Sequence, residues 1–186
     1  MKNIVIFVSG NGTNCENIIN HFSGSSKARV CLVISNRADA KALEKARRHN
    51  VETAVISKSQ LNDSSYLLPV LKAHDTDLIV LAGFLLMIPG YLIDAYKHRM
   101  INLHPALLPK FGGKGMYGRH VHEAVKAAGE KETGMTVHWV SRECDGGEII
   151  AQYKTPVSAG DTADDIAEKE HELELKYFPK VIDDLL

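Results

Sequence analysis

The sequence predicts an α/β fold, a mixed and mostly parallel sheet with helices on both faces. Two observations carry that expectation. Through the first half of the chain, short apolar runs rich in β-branched residues alternate with helical periodicities, the order expected of parallel strands buried on both sides. Further on, two strand-like segments flank Asp145-Gly146-Gly147 and read as an antiparallel pair joined by a turn.

Each element follows from a local pattern. Asn3–Ser9 is an almost continuous apolar run and reads as the first strand. Gly10-Asn11-Gly12 turns into a helix in which Cys15, Ile18, Ile19 and Phe22 fall on one face, with Thr13 and Glu16 at capping-box spacing. Val30–Ile34 is the second strand, Asp39–Arg48 the second helix and Thr53–Ile56 the third strand. A helix over Ser64–Ala73 carries Leu67, Leu68 and Leu71, with Pro69 either early in it or kinking it. Leu78–Leu81 is a buried-type strand, Tyr91–Tyr96 a helix and Met100–Leu103 a short strand running into His104-Pro105. Helical periodicity returns over Val121–Ala128. Thr136–Val140 and Glu148–Tyr153 form the antiparallel pair, and a final helix from Asp164 to Leu186 is capped by Asp161 or Thr162. This order is Rossmann-like. No repeat, linker or low-complexity segment interrupts it, so residues 1–186 are expected to form a single domain.

Composition narrows the function. The chain has 186 residues, 45% of them hydrophobic and 24% charged, with 22 basic against 23 acidic residues and a formal net charge of -1. No cationic excess is present to neutralise phosphates, so neither a nucleic acid nor a membrane surface is an expected partner. No apolar run approaches the ~18 residues needed to span a bilayer. Cys15, Cys31 and Cys144 are odd in number and widely spaced, which suggests neither a disulfide framework nor a zinc site, and fits a reducing cytoplasm. His120 and His122 form an H-x-H pair without an Asp, Glu or Cys partner at a recognised spacing, so no metal is expected.

In a parallel sheet, ligands bind beyond the carboxyl ends of the strands. Ser9-Gly10-Asn11-Gly12-Thr13-Asn14 occupies such a place. Its glycines and the amides of the following helical turn suit a phosphate, although an ordinary tight turn capped by Thr13 would look the same. Cys15 stands where a dinucleotide fingerprint has its third glycine, and no Gly-Lys-Ser/Thr follows, so a phosphomonoester fits better than NAD or ATP. Asn102 and His104 end a predicted strand two residues apart and project from one face. A carboxamide beside an imidazole is a sensible pair for an oxyanion.

Together these motifs resemble the glycinamide ribonucleotide formyltransferases. The resemblance runs from Met1 to about Ile182. Its carriers are the Ser9–Asn14 loop, Ser35-Asn36-Arg37-Ala38-Asp39-Ala40, Leu81-Ala82-Gly83-Phe84, the segment from Asn102-Leu103-His104-Pro105 to Pro109, Gly134-Met135-Thr136-Val137-His138, and Asp145-Gly146-Gly147. It implies a formyltransferase fold, and transfer of a formyl group from 10-formyltetrahydrofolate to the amine of 5-phosphoribosylglycinamide in de novo purine synthesis. It also implies a cytoplasmic monomer or weak homodimer acting on small molecules without a metal. Asn102, His104 and Asp145 match the family's catalytic trio. In that assignment Asn102 and protonated His104 stabilise the tetrahedral oxyanion, and Asp145 raises the His104 pKa.

Gly12, Thr13, Asn14 and Cys15 match the substrate-phosphate site, and Glu174 a carboxylate contacting the glycinamide end. Leu85, Leu86, Met87 and Ile88, together with Asn102, match the folate-binding positions. His138 either faces the same site or is a satisfied structural histidine.

Three departures from the family pattern stand out. Leu86 replaces an arginine common in the pterin-lining segment, and Asp63-Ser64-Ser65 stands where a basic residue is frequent. Lys110–Arg119 is longer and richer in glycine than usual, and reads as a lid or a surface insertion. Among relatives of the same domain, formyltetrahydrofolate hydrolase carries an N-terminal regulatory domain, whereas this sequence opens on its first strand. Methionyl-tRNA formyltransferase carries a basic C-terminal domain for which 186 residues leave no room. A sugar-phosphate sensor would keep the glycine loop but has no need of the trio.

Overall fold

The computed structural model describes all 186 residues, which divide into two compact units, Met1–Ile101 with Asp183–Leu186, and Asn102–Ile182. The first unit holds β1 (Lys2–Val8), α1 (Thr13–Phe22), β2 (Ala28–Ser35), α2 (Lys41–Arg48), β3 (Glu52–Val55), α3 (Lys58–Leu61), α4 (Ser64–Ala73), β4 (Leu78–Leu81) and α5 (Gly90–Ala95). Its strands lie in the order β3-β2-β1-β4, and every pair is parallel. The centre of the sheet is fully buried at Ile4–Val8, Val33, Ile34, Ile79 and Val80, which explains why the sequence there is apolar without alternation. Helix α1 seats Cys15, Ile18, Ile19 and Phe22, and α2 seats Ala42, Leu43 and Ala46.

This order reverses direction between β1 and β4. Such a switch point opens a crevice beyond the carboxyl ends of the two strands. Ser9 ties the crevice together. Its hydroxyl donates to Asn36 Oδ1 at 2.5 Å, after β2, and accepts from the Leu85 amide at 2.9 Å, after β4.

Two local expectations change in this unit. The Thr13–Glu16 capping box does not form. The cap is Gly12, in the left-handed region with φ 71°, and it makes no side-chain cap bond. A Cβ on Gly12 would lie 2.3 Å from the Ala42 Cβ, so close approach to α2 sets this turn rather than a hydroxyl. The short helix α3 was not anticipated, although its capping box is written in Ser57-Lys58-Ser59-Gln60. The Gln60 amide donates to Ser57 Oγ at 3.1 Å and the Ser57 amide to Gln60 Oε1 at 2.8 Å. Pro69 lies inside α4, past its first turn.

The division between the units falls within β5 (Met100–His104). The second unit continues with α6 (Arg119–Ala127), β6 (Glu132–Trp139), β7 (Ile149–Pro156) and α7 (Ala163–Leu185), its strands in the order β5-β6-β7. As expected, β6 and β7 are antiparallel, with Met135 opposite Tyr153. Tyr153 stacks on Tyr177 of α7 with ring centroids 3.9 Å apart. Thr162 caps α7 reciprocally with Asp165. The Asp165 amide donates to Thr162 Oγ1 at 3.1 Å, and the Thr162 amide to Asp165 Oδ2 at 2.7 Å.

Buried Thr136 fixes the chain leaving β5. Its hydroxyl donates to the Ala106 carbonyl at 2.6 Å and accepts from the Leu108 amide at 3.1 Å and Gln152 Nε2 at 3.0 Å. Thr136→Val keeps the shape and strands these partners. We expect it to cost about 1–3 kcal/mol, read as a lower urea midpoint with an unchanged slope. An unchanged midpoint would show that Thr136 is not the anchor.

Candidate active site

The second unit assembles a cluster around one carboxylate. Strand β5 carries Asn102 and His104, strand β6 ends on His138-Trp139, and the loop between β6 and β7 carries Asp145 in the left-handed region with φ 54°. Gly147 lets that loop fold back, because a Cβ there would meet the Trp139 carbonyl oxygen at 1.7 Å. Asp145 Oδ2 accepts the Gly113 amide at 2.9 Å and lies 3.5 Å from His104 Nδ1. Asp145 Oδ1 lies 3.6 Å from His138 Nε2, and Asn102 Nδ2 reaches it at 3.4 Å.

Proton positions follow from the partners. His138 Nδ1 faces the Trp139 carbonyl at 2.9 Å, so it carries the hydrogen, which leaves Nε2 to accept from Asn102 Nδ2 at 3.1 Å. His138 therefore belongs to the cluster, as an orienter of Asn102. His104 Nε2 is 2.7 Å from the Phe111 carbonyl and donates to it. In the neutral ring His104 Nδ1 then presents a lone pair towards Asp145. On protonation that contact becomes an ion pair.

The expected electrostatics need a correction. Burial lowers the His104 pKa, and Asp145 and the Phe111 carbonyl, which raise it, do not make up the loss. The ring is only 3% exposed, so desolvation of the cation outweighs one carboxylate at 3.5 Å. Asp145 does act in the expected direction, but the net shift of His104 is downward and its resting form near neutrality is the uncharged ring. Asp145 itself is pushed up by burial and brought down further by its partners, the Gly113 amide among them, ending below the usual carboxylate value.

The sequence left the Lys110–Arg119 segment as lid or insertion. Its Phe111 carbonyl and Gly113 amide contact His104 and Asp145, so the segment is in touch with the trio. Phe111 has φ 56° and Gly113 φ 94°, which directs these two backbone groups inward. Glu174, buried on α7, is bonded to His171 at 2.8 Å. His122 is buried and His120 exposed, and no group of three or more His, Cys, Asp or Glu side chains is placed to hold a metal.

The remaining candidates lie in the first unit. Gly12 precedes α1, and the Glu16 amide donates to the Gly12 carbonyl at 2.9 Å. The first turn of a helix leaves amides without an intrahelical partner, the arrangement that suits an anion. The Cys15 thiol is buried and pushed up to about 12, chiefly by desolvation, so it is inert. Leu85 and Met87 expose apolar surface while Leu86 and Ile88 are half-buried. Asp63, in the place of the basic residue frequent in the family, caps α4 by accepting the Ser65 amide at 2.9 Å. Sequence reasoning missed Ser9 as the tie across the switch point. Its position at the end of β1 was the available signal.

With this fold and these side chains, the chain belongs to the formyl transferase family. The model of that family, described as formyl transferase, matches residues 2–182. The chain is 38% identical to a chloroplastic phosphoribosylglycinamide formyltransferase of Arabidopsis thaliana, over 97% of its own length and 64% of that protein's. It thus spans just under two thirds of that relative. The phosphoribosylglycinamide formyltransferase of Escherichia coli is 37% identical over 97% of this chain and 85% of its own. A crystal structure of phosphoribosylglycinamide formyltransferase from Anaplasma phagocytophilum superposes with a TM-score of 0.88 at 35% identity, covering 97% of this chain and 85% of that one. The expected fold class is therefore that of the solved formyltransferases. No helix is long and apolar enough to cross a membrane.

Proposed function

We propose that this protein transfers the formyl group of 10-formyltetrahydrofolate to the primary amine of 5-phosphoribosylglycinamide, a step of purine biosynthesis, with residues 1–186 acting as one formyltransferase domain. The observation that supports this best is the His104–Asp145–Asn102 cluster, with 3.5 Å between His104 Nδ1 and Asp145. The turn Gly12-Thr13-Asn14-Cys15 takes the phosphate, Glu174 the glycinamide end, and the segment Leu85-Leu86-Met87-Ile88 the pterin.

The amine nitrogen attacks the formyl carbon, giving a tetrahedral intermediate with a negative oxygen and a positive nitrogen. Asn102 donates to that oxygen, exchanging its longer 3.4 Å contact with Asp145 for the stronger acceptor. Neutral His104 takes a proton from the nitrogen, directly or through water. The imidazolium so formed is held by Asp145 and returns the proton to N10 of the folate as the C–N10 bond breaks. A lowered pKa suits this role better than a permanent imidazolium would. Nε2 carries the ring hydrogen and donates it to the Phe111 carbonyl at 2.7 Å, so substrate has to displace that carbonyl and the hydrogen has to move to Nδ1, against Asp145, before Nε2 can take the amine proton.

Acceptor-dependent turnover, followed by folate absorbance against a blank without acceptor, tests the activity. Turnover that ignores the acceptor would point to a hydrolase, and none at all to a binding protein. The role of Asp145 has its own test. Its charge raises the His104 pKa, so Asp145→Asn removes an upward contribution and lowers that pKa further. The limb of the pH–rate profile set by His104 should move to lower pH, with a reduced maximal rate. An unshifted limb would sink the role.

A further inference from the structure

Along α7, residues at four-residue spacing, Ile166, Glu170, Glu174 and Phe178, are all buried. Spacing of this kind puts them on one face of the helix, and the two middle members are carboxylic acids where apolar side chains are the rule. Glu174 is 7% exposed and Glu170 only 2%. Glu170 Oε1 has no hydrogen-bond partner, and the side chain makes no ion pair. The charged group that acts on it is Glu174, one turn along the same buried face.

Two ionised carboxylates buried one turn apart on the same helix face repel each other, and neither has a proton to donate. One of the pair is therefore protonated, and the surroundings decide which. His171 Nδ1 lies 2.8 Å from Glu174 Oε2, and that carboxylate pushes the imidazole pKa up, favouring its charged form. Buried His122 of α6 also feels the charge of Glu174. Glu170 has no cation, and both burial and the charge of Glu174 push its carboxyl well above the usual range. The proton sits on Glu170.

We propose that Glu170 is a positioning residue, retained as the neutral acid, which donates its proton to Glu174 and so fixes that carboxylate for the amine-bearing end of the acceptor substrate. This rests on the assignment of Glu174 to the glycinamide end. A carboxylate offers about four acceptor positions. His171 and Glu170, three and four residues ahead of Glu174, both reach it from the preceding turn and occupy one position each, which restrains the rotation of the group and leaves the others for N–H donors. A lone Glu174 would instead turn about its last torsion, which is broad and soft.

The test compares Glu170→Leu, which removes the donor, with Glu170→Gln, which keeps one. We expect Glu170→Leu to fold with undiminished thermal stability, because an apolar group replaces an unpartnered buried oxygen. Its KM for 5-phosphoribosylglycinamide should rise roughly tenfold, the scale of one lost hydrogen bond to a charged group, with kcat little changed. Glu170→Gln should restore the wild-type KM. Infrared spectra taken without substrate should show the carbonyl stretch of a buried protonated carboxyl in the wild type and lose it in Glu170→Gln. A missing band, an unchanged KM in Glu170→Leu, or a Glu170→Gln as defective as Glu170→Leu would each overturn the proposal. If Glu170→Leu does not fold, the band and the KM of Glu170→Gln decide it. The band is read without turnover, so a wild type that shows the band but no acceptor-dependent transfer would indict the functional reading and leave the acid pair standing.

Discussion

His104→Ala should reduce acceptor-dependent formyl transfer by about 10²–10⁴-fold, the range of a lost general acid–base group. In the proposed mechanism His104 is the ring through which the amine proton passes, and its neighbours have no means of replacing it. Asn102 has no ionisable proton, Asp145 lies below the usual carboxylate range, and His138 has Nδ1 on the Trp139 carbonyl and Nε2 on Asn102. The fold should survive. Asp145 keeps the Gly113 amide at 2.9 Å and the Asn102 amide at 3.4 Å, so the β6–β7 loop retains its anchors. Single-turnover rates with both substrates saturating, alongside circular dichroism, separate lost chemistry from lost structure. A folded His104→Ala protein with a near wild-type rate would remove His104 from the reaction.

The second large effect belongs to the glycine turn. Gly12→Ala should lower stability by about 2–5 kcal/mol, combining the cost of a side chain in the left-handed region with overpacking against α2. The new Cβ would meet Ala42 Cβ at 2.3 Å and Ala42 Cα at 2.6 Å, and the second of these is backbone that cannot rotate aside. The Ala42 amide is also bonded to the Gly10 carbonyl at 3.2 Å, so α2 cannot withdraw without breaking the turn. Urea unfolding measures the loss. The double variant Gly12→Ala with Ala42→Gly tests its cause, since removing the Ala42 methyl should recover only part. Full stability in the single variant would show that neither the turn nor the contact with α2 is as tight as described.

The sequence by itself determined the element order. Ile4–Val8 and Leu78–Leu81 lie between layers that leave no solvent-facing side, so they must be apolar throughout, and that is visible without neighbours. Helix faces such as Cys15, Ile18, Ile19 and Phe22 were visible for the same reason, because burial imposes the helical period on the chain itself. Boundaries moved by a few residues and α3 was missed, since four residues are too few to show a period. The members of the trio were also legible, as motifs with a family resemblance.

Their electrostatics were not. An Asp beside a His reads as a raised pKa, and only the burial of His104 shows that desolvation wins. The commitment of its Nε2 to the Phe111 carbonyl depends on a loop whose course no local pattern fixes. Glu170 looks in the sequence like one more charge on an acidic helix. Whether a glutamate faces water or a second carboxylate depends on what packs against the helix from elsewhere in the chain. Periodicity records that a face is buried, but the protonation of a group on that face is set by the charges and solvent around it, which are three-dimensional.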